Sequence, residues 1–293
     1  MSQRPRIFAF SLILLSLILI TIRLFQNQGT STFEMGFGYE VSYDFNIKGN
    51  PEYSVRTFLP SSNRRQQVTI IGEKQFSAIT LENQNKVVKW RGSSSSEKGL
   101  GVQLFFKARS ITYHIDSLIN YSPNSDSGLI QYLRPTNYVQ SDHPKIRSLA
   151  LRLSMSHTKT LDMLESFYNY VLAMPSANTS GLTDAVMALE NNEASCNGKS
   201  RLFVALCRNM GIPARLSGGL ILEDTTKKTS HLWAEVYIGD EWVPFDVLNG
   251  HFASLPAHYM ELYKGDEFLI RRTAGVPFNY QFQIRKKRVN DFP

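Results

Sequence analysis

Between residues 194 and 246 the hydrophobic period changes from that of a helix to that of a strand, which constrains the chain to a fold mixing both. After Cys196 the apolar residues Leu202, Phe203, Ala205, Leu206 and Met210 recur at helical spacing, and Gly211 and Pro213 supply stop signals. Cys196 therefore opens a helix, where the macrodipole and the unpaired backbone N–H groups favour thiolate over thiol. The run His231-Leu232-Trp233-Ala234-Glu235-Val236-Tyr237-Ile238 alternates as a strand does. Gly239-Asp240 follows as a turn, and Trp242-Val243-Pro244-Phe245-Asp246 is a second strand. An antiparallel pair of these strands brings His231 near Asp246 if the register allows. A carboxylate would then hold an imidazole that deprotonates a thiol, which is the logic of nucleophilic catalysis.

Each of these residues also has a plainer reading. Cys196 standing alone would be a small buried hydrophobe, and Asp246 a strand-end residue. The two cysteines do not suit a disulfide, because eleven residues on one helix separate them by roughly 16 Å. Cys207 falls on the apolar face of that helix and reads as core. Trp233 lies on the same strand face as His231, either walling the imidazole from water or simply packing. His251 and His258 fall outside the strand pair and read as surface or structural residues. No short C-x-x-C or H-x-x-x-H pair exists, so neither a metal nor a cofactor is expected. Glu223-Asp224 opens a polar loop that runs to Ser230, read as solvated with a cleft-lining flap as the alternative.

The segment from Leu182 to Asp246 resembles the core of the transglutaminase-like superfamily, papain-related enzymes with Cys, His and Asp in that chain order. The residues that carry the resemblance are Cys196, Arg208, Gly211-Ile212-Pro213-Ala214-Arg215, Gly218, His231-Leu232-Trp233 and Trp242-Val243-Pro244-Phe245-Asp246. The resemblance implies a papain-like core, with Cys196, His231 and Asp246 as catalytic residues. Ala194 stands where the family often has glycine, two residues before the cysteine. Eukaryotic relatives use a tryptophan well before the cysteine, and none occurs between Trp90 and Cys196, which favours hydrolysis over amine transfer.

Residues 7–24 are nearly all apolar, interrupted by Ser11, Ser16, Thr21 and Arg23, and Arg4 and Arg6 precede them. That length approaches the ~30 Å bilayer core, and the basic start places the N-terminus in the cytoplasm. A cleaved signal peptide shares these features. However, Leu24-Phe25-Gln26-Asn27-Gln28 offers no Ala-x-Ala-like site, which favours an uncleaved anchor. The net charge of +7 is scattered, with one basic cluster at Arg285-Lys286-Lys287-Arg288 read as a solvated tail. No nucleic-acid motif accompanies it, so nucleic acid is not an expected partner.

The expected fold class is α+β. It comprises an N-terminal membrane anchor, a small antiparallel β-sandwich-like domain and a papain-like transglutaminase core of helices packed on an antiparallel sheet. Strand candidates are 39–47, 53–59, 67–71, 86–90 and 101–108, separated by turns such as Gly49-Asn50-Pro51. Helices are expected at 144–153, 160–174, 182–191 and 257–263, with a last strand at 268–272. The expected domains are 1–28 (cytoplasmic tip and anchor), 29–115 (β-rich), 116–272 (transglutaminase-like) and 273–293 (basic tail). The function this implies is a membrane-anchored cysteine enzyme of the bacterial inner membrane with its C-terminal domains in the periplasm. It would act on a protein or peptide substrate, performing acyl transfer or hydrolysis at peptide or glutaminyl amides through a thioester. The alternative is a catalytically idle binding module with a partner protein in a cell-envelope complex.

Overall fold

The computed structural model describes residues 37–47, 50–74, 78–94, 98–120, 126–177 and 183–288. The expected anchor lies outside them. Among the described residues no helix is long and apolar enough to cross a membrane.

The first strands are β1 (Phe37–Ile47), β2 (Asn50–Leu59), β3 (Gln66–Lys74), β4 (Ala78–Glu82), β5 (Asn85–Ser94), β6 (Lys98–Ala108) and the short β7 (Ile111–Thr112). Alternation decides which face each strand buries. Val41, Tyr43, Phe45 and Ile47 of β1 are buried, whereas the residues between them are more accessible. Two antiparallel sheets result, and Phe45 of one meets Trp90 of the other edge-on with ring centroids 5.4 Å apart. Such aromatic pairs contribute about 1 kcal/mol beyond their buried area.

Four helices follow: α1 (Pro144–Ser154), α2 (Thr160–Leu172), α3 (Ala185–Asn191) and α4 (Cys196–Asn209). The first three pack around α4, whose residues from Gly198 to Cys207 are all buried. An all-round burial of this kind makes α4 the central helix of the core. Behind it lies a sheet of β8 (Ala214–Ile221), β10 (His231–Ile238), β11 (Glu241–Phe245) and β13 (Tyr259–Lys264), in the order β11-β10-β8-β13. Gly239 and Asp240 both have positive φ, the two-residue hairpin turn expected between β10 and β11.

The remaining strands are β9 (Thr225–Lys227), β12 (Ser254–Leu255), β14 (Ile270–Arg272) and β15 (Phe278–Arg288). Several of them correct the sequence reading. Residues 257–263 are not helical: β13 pairs with β8, and because Tyr259, Met260, Leu262 and Tyr263 are all buried, strand alternation is erased from the sequence. The expected basic tail is strand β15, paired along its length with β1. Phe282 and Ile284 enter the core while the basic residues sit at the strand's end, so local charge hid a buried strand. The polar loop before His231 is likewise no free loop, since β9 pairs with Phe282, Gln283 and Ile284 of β15.

Gly219 pairs with both His231 and Glu261 across its two neighbouring strands. A Cβ there would stand 1.8 Å from the Met260 carbonyl oxygen. Gly219→Ala is therefore expected to cost about 3 kcal/mol by forcing β8 and β13 apart. Urea denaturation measures this, and an unchanged midpoint would contradict the close approach.

Candidate active site

Cys196 is the first residue of α4. Ser195 before it is extended (φ −74, ψ −178) but caps nothing with its side chain. The first-turn N–H groups therefore stay open at the sulfur. Ala194 is buried, and its methyl lies 2.7 Å from the point where a Cβ at Gly198 would stand. The Ser200 hydroxyl donates to the Leu232 carbonyl at 2.9 Å, fastening α4 to β10 beside His231.

His231 opens β10. Phe245, the last residue of β11, pairs with Ala234, which sets Asp246 diagonally across from His231. The His231 Nε2 donates to Asp246 Oδ2 at 2.6 Å, and the electrostatics of the site couple His231 to the Cys196 thiol. All three residues foreseen from the sequence therefore meet. Cys207 does not join them: it is fully buried, and burial pushes its thiol far above the ordinary value.

Asp246 has no exposed surface, so its charge depends on donors. Five converge on it. Oδ2 accepts from His231, from the Tyr259 hydroxyl at 2.8 Å and from Asn249 Nδ2 at 2.9 Å. Oδ1 accepts from the backbone N–H groups of Leu248 at 3.0 Å and Asn249 at 3.1 Å. Burial raises the Asp246 carboxyl, but His231, Tyr259 and the Leu248 N–H outweigh it and hold the group well below the usual carboxylate range. For His231, burial disfavours the proton, yet the bonds to Asp246 and Cys196 raise its pKa to about 9. At Cys196 burial opposes ionisation, but His231 and the Leu232 backbone hold the thiol below its ordinary value. The arrangement favours a thiolate beside an imidazolium.

Trp233 is fully buried and stacks on His231, with centroids 6.2 Å apart and planes 24° apart. Tyr259 and Asn249 were missed in the sequence because nothing local marks them. Tyr259 reaches Asp246 only because residues 259–264 form a strand. His251 also has a local structural part, exchanging backbone hydrogen bonds with Asp246 at 2.8 and 3.1 Å and setting its ring edge-on to Tyr259. Of the other residues that carried the resemblance, Arg208 holds the Ala214 and Arg134 carbonyls, and Arg215 pairs with Glu235. Asn197 lies beside Cys196, its side-chain oxygen 3.8 Å from Cys196 Sγ. Among the described residues no group of three or more His, Cys, Asp or Glu side chains is placed to hold a metal ion.

Residues 147–247, which contain all three residues and make up roughly a third of the chain, match the Transglutaminase-like superfamily core. In structure the chain is similar to a candidate cysteine protease from Cytophaga hutchinsonii. That likeness has a TM-score of 0.70 at 16% identity and spans 90% of this chain and 94% of the other. It shows a shared fold for the sandwich as well as the core. A lesser likeness, TM-score 0.38 at 14% identity over 74% of this chain and 90% of the other, is to the periplasmic domain of TgpA from Pseudomonas aeruginosa bound to ethylmercury. No curated protein matches the chain in sequence.

Tyr259→Phe removes one donor from a buried carboxylate. It is expected to lower stability by about 2 kcal/mol at neutral pH. Because Asp246 is depressed in the folded state, its contribution is present above the ordinary carboxylate pKa and fades on acidification, so the deficit should shrink in acid. Denaturation of both proteins across pH measures this, and a deficit independent of pH would contradict the bond to the ionised group.

Proposed function

We propose that the chain is a cysteine enzyme that cleaves or transfers at peptide or glutaminyl amides. The observation that carries this reading is a histidine whose Nε2 stands 2.6 Å from a buried carboxylate and which lowers the pKa of the thiol at the start of α4. The Cys196 thiolate attacks the amide carbon and forms the C–S bond, and the carbonyl electron pair moves onto oxygen. The backbone N–H of Cys196 supports that oxyanion. The Asn197 amide is the proposed second donor: its oxygen stands 3.8 Å from the sulfur, and the amide turned to present Nδ2 would avoid meeting the thiolate with an acceptor. The tetrahedral species collapses as His231 gives its proton to the departing amine, leaving a thioester. Water, activated by His231, then attacks the thioester, releases the acid and returns the thiol. An amine in place of water gives transfer. Asp246 keeps the imidazole oriented throughout.

Cys196 is expected to be the thiol modified by iodoacetamide in the folded protein, at pH values below those needed for a free cysteine. Asp246→Asn should move that profile up toward the free-thiol value. Adduct mapping by mass spectrometry checks the first point, and preferential modification of Cys207 would overturn it. Identical pH profiles would remove Asp246 from the mechanism and favour the idle binding module. With ammonia release from glutaminyl peptides as the assay, Asn197→Ala is expected to lower kcat by about 10²-fold with KM little changed.

We also propose that residues 7–24 anchor the enzyme in a bacterial inner membrane, with the described domains on the periplasmic side. The support is the apolar run after Arg4 and Arg6. On that reading a high-salt wash leaves the protein in the membrane fraction and spheroplasts expose it to added protease. A shortened soluble form would overturn it.

A further inference from the structure

In an Asn-Gly pair the glycine nitrogen can attack the preceding side-chain amide with little hindrance, because glycine carries no side chain of its own. The sequence contains two such pairs, Asn197-Gly198 and Asn249-Gly250, and both lie at the candidate active site. The fold gives them opposite surroundings.

Asn197 is the second residue of α4, and Gly198 after it is buried. A Cβ at Gly198 would stand 2.7 Å from the Ala194 methyl and 2.8 Å from Thr183 Cγ2, so neighbours close on this backbone from two sides. The Lys199 N–H donates to the Ser195 carbonyl at 3.1 Å, which fixes the first turn. Closing a five-membered ring turns ψ of the asparagine out of the helical range, and this packing forbids the turn. Asn249 lies instead between Asp246 and its bridge partner His251, in a turn where both it and Gly250 are exposed. Gly250 has φ +77, and a Cβ there would meet no atom within 4 Å. Its N–H donates to the Asp246 carbonyl at 3.1 Å, an exposed turn bond of the kind that opens locally without global unfolding.

We propose that Asn249 is a site of spontaneous deamidation, that the modification disarms Cys196, and that the fold spares Asn197. Hydroxide removes the Gly250 N–H proton, the nitrogen attacks Asn249 Cγ, and Nδ2 leaves as ammonia with a proton from water. Water then opens the succinimide at either carbonyl, giving aspartate or isoaspartate. In the aspartate product an acceptor oxygen replaces the Nδ2 donor that stands 2.9 Å from Asp246 Oδ2 and 2.9 Å from the Tyr259 hydroxyl. Two carboxylates so close cannot both stay ionised, and the Tyr259 proton serves only one of them. In the isoaspartate product the backbone is longer by one carbon, which pulls the Leu248 and Asn249 N–H groups from Asp246 Oδ1. Either way the carboxylate that orients His231 loses donors. Only the effect on Cys196 rests on the mechanism proposed above; the modification itself does not.

The full chain, aged at mildly alkaline pH, is sampled over time for mass mapping and for a brief iodoacetamide pulse at neutral pH. Asn249 is expected to gain one mass unit while Asn197 stays unchanged, whereas the same chain unfolded in urea converts at both positions. Alkylation of Cys196 should fall in step with conversion at Asn249, the converted protein reacting at least about tenfold more slowly. Asn249→Asp, made directly, should react as slowly as the aged aspartate form; if it does not fold, the wild-type time course decides. Equal conversion at both asparagines in the folded chain, or none at Asn249 while the unfolded chain converts, would overturn the site. Full conversion with an unchanged alkylation rate would overturn the disarming. A Cys196 already inert in fresh protein contradicts the mechanism instead, and the mass shift still decides the modification.

Discussion

A carboxylate with no exposed surface organises this molecule. Asp246 is ionised only because five donors surround it, and those donors come from three parts of the chain: the start of β10, the turn after β11, and β13. Removing a charge of that kind from water costs several kcal/mol, so each element that brings a donor is constrained by the charge it serves. The imidazole then inherits its proton affinity from the carboxylate, and the thiol inherits its acidity from the imidazole. Reactivity at Cys196 is thus set by packing two side chains away.

The sandwich takes part in this chain of dependence. Arg65, on the loop between β2 and β3, donates to the Tyr259 carbonyl, and Gln66 exchanges hydrogen bonds with Glu261, so β13 is held from the N-terminal layers. Tyr259 in turn holds Asp246. Two layers far apart in sequence therefore fix one hydroxyl.

Much of this was legible in the sequence where a single face is buried. The helix after Cys196, the β10–β11 hairpin and the sandwich strands follow from period and turn residues, and Cys196, His231 and Asp246 were named from their places at element ends. What escaped notice has a physical reason in each case. Strand β13 is buried on both faces, which removes alternation, and β15 ends in a basic run that outweighs Phe282 and Ile284 to a local reading. Strand β9 is three residues long and exists only because β15 offers an edge. Tyr259 and Asn249 gain their parts from tertiary contact alone. Arg65 looks like a loop cation until its partners are seen.

The pairing of β1 with β15 has a kinetic meaning. Strands separated by more than two hundred residues must find each other before the five-stranded sheet is complete, and closing so long a loop is slow and entropically costly. Strand β9 rests on β15 and leads, three residues on, into His231. His231 is thus tethered to the last sheet contact in sequence order among the described residues. Cys196 precedes that contact by some eighty residues, so the chain carries the thiol before the strand that anchors β9 exists to pair with it.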